Sequence, residues 1–172
     1  KIGVSRAMEE AKKADLIIYV VDGSRELDEN DYQIMDFIKE RKSVVLLNKS
    51  DMADPTQTSR WVNYYASLGE RAIPLESKTG KGLNAFYPTV REVLKEQILS
   101  WESKGMVGRP IRVMVVGIPN VGKSSFINRM IRGGGAGKAE VQDGPASPAK
   151  TGGSRWAGAL SCWTPRCSLA QI

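Results

Sequence analysis

Apolar positions fall into short, dense runs separated by polar turns and by stretches of helical period. Residues 4–14 (VSRAMEEAKKA) carry charge over most of one face and predict a helix. Leu16–Val21 is a continuous apolar, β-branched run closed by Asp22-Gly23-Ser24, the pattern of a buried strand and a turn. Asp28–Glu40, with apolar residues at 34, 35, 37 and 38, suits an amphipathic helix. Ser43–Leu47 predicts a second buried strand running into Asn48-Lys49-Ser50-Asp51. Asp54-Pro55 opens a helix that ends near Gly69, with proline at the first helical position. Ala72–Leu75 predicts a third strand, leading into Glu76-Ser77-Lys78-Thr79-Gly80. One long helix is expected over 83–101, a hinge over 105–110, a fourth strand over 111–116 and a helix over 124–132.

Strands that alternate with helices imply an α/β fold, a mostly parallel sheet with helices on both faces. In such sheets ligands sit beyond the carboxyl ends of the strands. The unusual turns here, at 22–24, 48–51, 76–80 and 117–125, all lie at such ends.

The last of them, GIPNVGKSS at 117–125, fits G-x-x-x-x-G-K-[ST] between a strand and a helix. Gly117 and Gly122 let the backbone curl so that N–H groups cradle phosphate oxygens, and the helix adds the positive end of its dipole. The expected phosphate contacts are Pro119, Asn120, Val121, Gly122, Lys123, Ser124 and Ser125. Lys123 would reach the β- and γ-phosphates and the Ser124 hydroxyl would bind Mg²⁺, which makes these two the catalytic candidates. Upstream, Asn48-Lys49-Ser50-Asp51 fits N-K-x-D. The Asp51 carboxylate can accept from the adjacent N1–H and N2 amino donors of guanine, a pair that adenine lacks. Asn48 can donate to the base N7 and tie its loop to the phosphate loop, and the Lys49 stem can lie along the base. After the next strand, a backbone N–H of the loop carrying Ser77 and Lys78 can contact the guanine O6. GTP or GDP with Mg²⁺ is therefore the expected cofactor set.

The parts stand in rotated order, base readers first and phosphate loop last. LLNKSDMADP at 46–55, SKTGKGLNAFYP at 77–88 and KGMVGRPIRVMVVGIPNVGKSSFINR at 104–129 together resemble the circularly permuted GTPases of the ribosome biogenesis GTPase A family, the YlqF type. The resemblance covers roughly residues 43–143. It implies a P-loop G domain with circularly permuted motifs over 1–143, divided into a base-reading half (1–104) and a phosphate-loop half (105–143). It also implies GTP hydrolysis in large ribosomal subunit assembly, with ribosomal RNA or a large-subunit precursor as partner. Residues 1–42 look more like the tRNA-modification GTPase (MnmE) G domain, so a fragment of that family is an alternative reading. The end of one tandem G domain joined to the start of the next is another. The histidine proposed for catalysis in the permuted family has no counterpart, since the chain contains no histidine. In both families an asparagine at the position of Asn120 is associated with a K⁺ that assists hydrolysis; the alternative is that Asn120 shapes the turn.

From Gly144 the text becomes rich in Gly, Ser and Pro, without helical or strand period, and 144–172 is expected to be disordered. A switch I threonine and a switch II Asp-x-x-Gly are missing in usable form, so the G domain reads as incomplete at its C-terminus. Little hydrolysis is expected, and a non-catalytic guanine-nucleotide or RNA binder is the alternative from a different class. The tail also reads as out of frame. GPASPA and LSCWTP can be encoded so that one and the same frame shift yields Arg-Pro-Gly-Val-Thr-Arg and Glu-Leu-Leu-Asp-Thr-Pro, the switch I pattern and the start of the switch II motif of the permuted family.

Composition adds little. The 172 residues, 41% of them apolar, suffice for one core, and the net charge of +6 permits contact with RNA. Two cysteines near the C-terminus form neither a disulfide framework nor a metal-ligand pattern. No apolar run approaches the ~20 residues that span a bilayer, and no leader is evident, so a cytoplasmic setting without membrane or DNA partners is expected. The nucleotide sequence across the Asp143 codon tests the frame shift: one shifted frame is expected to encode both motifs, and its absence rejects the idea.

Overall fold

The computed structural model describes residues 9, 11–107, 109, 111–133, 139–140 and 160–165. Four strands form a parallel sheet: β1 (Leu16–Asp22), β2 (Ser43–Asn48), β3 (Arg71–Pro74) and β4 (Val113–Val116). Their helices are α1 (Glu29–Ile38), α2 (Pro55–Ser67), α3 (Leu83–Val93), α4 (Lys95–Ser103) and α5 (Lys123–Gly133). Two further strands are β5 (Ala139–Glu140) and β6 (Leu160–Pro165), and the sheet order is β3-β2-β1-β4-β6-β5.

β1 is the hub. It pairs in parallel with β2 from Ile17↔Ser43 to Asp22↔Asn48 and with β4 from Leu16↔Val113 to Tyr19↔Val116. The phosphate-loop strand therefore lies beside the first strand of the chain, although it is the last of the four parallel strands in sequence. An Asp15 carboxylate accepting from the Arg112 backbone N–H at 2.9 Å, across 97 positions, fixes the start of this pairing.

Strand parity divides the core. Leu16, Ile18 and Val20 of β1, with Val44 and Leu46 of β2 and Val113 and Val115 of β4, face α3, α4 and α5, where they meet Phe86, Val90, Trp101, Phe126 and Met130. Ile17, Tyr19, Val21, Val45, Leu47, Met114 and Val116 face α1 and α2, where they meet Ile34, Ile38 and Tyr65. Both faces are apolar because both are covered, hence the unbroken apolar runs in place of alternation.

Most element boundaries follow the sequence expectation. β1 and β2 each run one residue further, to Asp22 and Asn48, which brings two polar side chains to the very ends of buried strands. β4 is shorter than expected and starts at Val113; just before it, Arg112 bonds to Asp15 and Leu16. The single helix over 83–101 is two. Leu94, fully buried, takes φ −97° and ψ 6° between α3 and α4. Phe86, Val90, Leu94, Ile98 and Trp101 pack into one core cluster on both sides of the break, so the buried face continues through it. The expected helix over 4–14 lies mostly outside the described residues.

The tail differs from expectation at one place. Leu160–Pro165 is a strand, antiparallel to β4 from Val113↔Trp163 to Val116↔Leu160, where disorder was expected. The physical reason is the edge. β4 would otherwise present a row of unpaired N–H and C=O groups, and backbone pairing to such an edge requires no side-chain periodicity. Residues 144–159 and 166–172 lie outside the described residues.

A buried polar network anchors α1 to β1. Asp31, fully buried, accepts from the Tyr19 hydroxyl at 2.7 Å and from Arg25 Nη2 at 2.6 Å, and its carboxylate closes a capping box with Asp28. Burial, together with neighbouring Tyr65 and Asp31, raises the Tyr19 pKa, so the phenol remains a donor. Asp31→Ala strands both donors; it should lower stability by about 2–4 kcal/mol, read as a lower urea midpoint at unchanged slope.

Candidate functional site

The carboxyl ends of β1, β2 and β4, with the loop that follows β3, carry the polar groups singled out in the sequence. The link between them is Asn48. At the end of β2 its backbone is held in the β1 ladder and its side chain is 4% exposed. Nδ2 donates to the Val121 carbonyl in the phosphate loop at 2.7 Å. Oδ1 accepts from the backbone N–H of Ser77 at 3.0 Å and from its hydroxyl at 2.8 Å. One carboxamide therefore joins three loops, and the expected tie between the base-reading loop and the phosphate loop is present.

The phosphate loop is shaped by close approach. A Cβ on Gly117 would fall 2.5 Å from the Val20 carbonyl oxygen, and one on Gly122 would collide with the Asn48 amide. Gly122 has φ +101°, in the range that favours glycine. Asn120, φ +63°, is exposed and occupies the left-handed region that asparagine tolerates best among non-glycine residues, which gives the turn-shaping reading a physical basis. α5 starts at Lys123, with Phe126 and Ile127 buried beneath it; Phe126 meets Phe86 edge-on at 5.5 Å, so the helix is seated on the sheet. Pro119, Asn120, Ser124 and Ser125 are exposed along the open side of this loop, whereas Val121 is buried.

Lys123 is folded back on its own loop. Its Nζ donates to the carbonyls of Gly117 at 2.8 Å and Ile118 at 2.7 Å, and burial lowers its pKa to about 8. This ammonium is held by two neutral carbonyls in a half-dry pocket and has no counter-charge among the described residues, and an anion at the loop would supply one. A Cβ-free cradle, a helix N-terminus and an unpaired cation fit a phosphate group. For Mg²⁺, the exposed Ser124 at the helix start is the protein oxygen in place. Among the described residues there is no cluster of three or more His, Cys, Asp or Glu able to cage a metal, and Mg²⁺ commonly relies on one or two protein oxygens plus phosphates.

The base-reading loop is less closed. Asp51 stands exposed in the turn after β2, with its carboxylate presented to solvent. Lys49 has φ +59° and its Nζ pairs with Asp22 Oδ2 at 2.5 Å. Burial works to raise the Asp22 pKa, but the bonds from Lys49 and from the Ser24 hydroxyl and N–H outweigh it, so the carboxyl sits below its usual range. This pair orients Lys49 along the mouth of the site. Ser77 is buried against Asn48, while Lys78 is exposed.

Three contributors carry no motif in the sequence. Asp22 and Ser24 have the composition of a turn; a carboxylate at the carboxyl end of a buried strand is the signal that marks them. Arg129 of α5, whose Nη2 donates to the Thr79 carbonyl, gave no signal, since nothing in a helical Asn-Arg-Met ties it to a loop 50 residues upstream.

Residues 112–151 match the family model described as 50S ribosome-binding GTPase. Ribosome biogenesis GTPase A of Bacillus pumilus is 35% identical over 124 residues, 72% of this chain and 44% of the relative. The chain is similar to ribosome biogenesis GTPase A. Its fold is α/β, a four-stranded parallel sheet with helices on both faces, in which the strand that delivers the phosphate loop is the last of the four in sequence and lies beside the first. It spans less than half the length of these ribosome biogenesis GTPase A relatives. A shorter match, 54% identical over 52 residues, is to tRNA modification GTPase MnmE of Lachnoclostridium phytofermentans, covering 30% of this chain and 11% of that protein. GNP-bound YlqF from T. maritima aligns over 76% of this chain and 48% of its own, at TM-score 0.48 and 21% identity. No described helix is long and apolar enough to cross a membrane.

The Asp22–Lys49 pair carries a pH signature. A depressed carboxylate contributes stability above its unfolded pKa of about 4, and that contribution is lost as pH falls through the lower native value. The stability gap between the unaltered chain and Asp22→Asn should be present at pH 7 and close below about pH 3 in urea titrations. A gap that is constant with pH rejects the ion pair as its cause.

Proposed function

We propose that this chain binds guanine nucleotide across the carboxyl ends of β1, β2 and β4 and the loop after β3, and that it is a GTPase module acting in ribosome biogenesis. The observation that carries the reading is the Asn48 carboxamide, which holds N-K-x-D, the Ser77 loop and the phosphate loop in one assembly. A phosphate loop alone would be compatible with any nucleoside triphosphate. Its attachment to a loop that presents an exposed Asp51 carboxylate is what selects guanine, because only that base offers the paired donors.

In this reading the loop around Gly122 and the N-terminus of α5 hold the phosphates, and Lys123 turns from the carbonyls of Gly117 and Ile118 to the β- and γ-oxygens. Ser124 would hold Mg²⁺, which when bound neutralises phosphate charge. Asn120, exposed in the loop, would hold K⁺ in this reading, the alternative being that it only shapes the turn. Asp51 fixes the base edge, Lys49 covers its plane, and the Lys78–Thr79 backbone meets O6. Positioning and charge stabilisation are what this constellation supplies to hydrolysis. The switch threonine and switch aspartate are not recognisable in the sequence, so binding should outlast turnover. Large-subunit precursors or ribosomal RNA as partners, and a cytoplasmic setting, follow from similarity to ribosome biogenesis GTPase A. A tRNA-modification role is the second reading, favoured by the MnmE match.

Titration with a fluorescent GDP analogue tests the site. Saturable binding is expected, displaced by GTP and not by ATP, and weakened at least tenfold in Asp51→Asn, which loses a charge-assisted pair of bonds. Equal displacement by ATP would remove the guanine assignment. Single-turnover GTP hydrolysis no faster than background would leave a nucleotide-binding module without enzymatic function.

A further inference from the structure

In the proposed site a backbone N–H of the loop after β3 would meet the guanine carbonyl, and the loop's own hydrogen bonds narrow which one. The Ser77 N–H is committed to Asn48 Oδ1, the Gly80 N–H to the Glu76 carbonyl at 2.8 Å, and the Lys81 N–H to the Thr79 hydroxyl at 3.3 Å. Among the described residues, the N–H groups of this loop left to a ligand are those of Lys78 and Thr79. The peptide carbonyl immediately beyond them, that of Thr79, is gripped by Nη2 of Arg129.

The grip is built from both sides. Arg129 is half-buried on α5, six residues after Lys123 and thus less than two turns from the phosphate lysine. Its guanidinium lies flat against Gly80: a Cβ there would fall 2.6 Å from Nε and 2.7 Å from Nη2. Gly80 itself has φ +87°, so the loop takes a glycine-only backbone at the point where the guanidinium passes. A second tie, from Thr79 Oγ1 to the Glu76 carboxylate, closes the loop from its other end. The helix that starts at the phosphate loop therefore also holds the backbone beside the base. Since α5 is seated by Phe126, Ile127 and Met130, its Arg129 end and its Lys123 end move together.

Resting on the guanine-nucleotide reading above, we infer that Arg129 is a positioning residue for guanine recognition: from the phosphate helix it holds the Lys78–Thr79 N–H groups at the height of the base O6. It touches neither base nor phosphate. Its effect is on discrimination at position 6 of the purine, which a residue needed only for helix or sheet stability would not alter.

The test compares GDP with 6-thio-GDP, which keeps the N1–H and N2 donors for Asp51 and replaces O6 by a larger, weaker acceptor. Affinities are measured for the unaltered chain, Arg129→Ala and Arg129→Lys. The unaltered chain should prefer GDP by roughly three- to tenfold, the worth of one neutral hydrogen bond. Arg129→Ala should bring the ratio near one, mostly through weaker GDP binding, while ATP still fails to compete. Arg129→Lys, which keeps a cationic donor for the Thr79 carbonyl, should give an intermediate ratio. A ratio unchanged in Arg129→Ala, or equal loss of both ligands, overturns the inference and leaves the guanine site standing. Absence of saturable GDP binding by the unaltered chain overturns the guanine reading, and this inference with it.

Discussion

The site depends on where one carboxamide is spent. Asn48 is buried at the end of β2 and satisfies the Val121 carbonyl on one side and Ser77 on the other. Buried polar groups without partners cost on the order of 1–3 kcal/mol each, so each of these loops is in its low-energy state only when the other is in place. The geometry also explains the glycine at 122, where a side chain and the Asn48 amide would occupy the same space. Ion pairs such as Asp22 with Lys49 refine the mouth of the site, but they lie nearer to water and could be lost without separating the loops.

The parallel sheet makes that arrangement available. Strands that all run one way deliver their carboxyl ends to one edge, and helices on both faces leave that edge as the place where loops converge. β1 sets the alignment on either side: its ladder with β2 ends at Asp22↔Asn48, and its ladder with β4 ends at Tyr19↔Val116, one residue before the phosphate loop. A slip of either register would exchange the faces of the apolar residues, and both faces here are occupied by helices of different shape.

Much of this was legible beforehand. Leu16–Val21 and Ser43–Leu47 are apolar on both parities, so they announced strands buried on both faces, and Gly122-Lys123-Ser124 after a strand announced a phosphate cradle. The break at Leu94 was not legible, because the apolar spacing of residues 86, 90, 94, 98 and 101 runs through it without interruption. Pairing of Leu160–Pro165 with β4 was hidden for a different reason: edge pairing is a backbone property, and the local composition spoke only for side chains. Among site residues, Asn48, Lys49, Asp51, Ser77 and Lys123 were visible as types at fixed spacing. Their connections were not, since the hydrogen-bond partner of Asn48 stands 73 positions away and that of Arg129 stands 50 away.

The rotated order has a consequence for assembly in time. β1, β2 and β3 are adjacent in sequence as well as in the sheet, so they can pair with modest loop-closure cost as soon as they exist. β4 must then find the far side of β1, the contact recorded by Asp15 and Arg112 across nearly a hundred residues. In a chain made from its amino end, the loops after β2 and β3 exist while the loop after β4 is still unmade. The last parallel strand to dock brings with it the loop that Asn48 is waiting to hold.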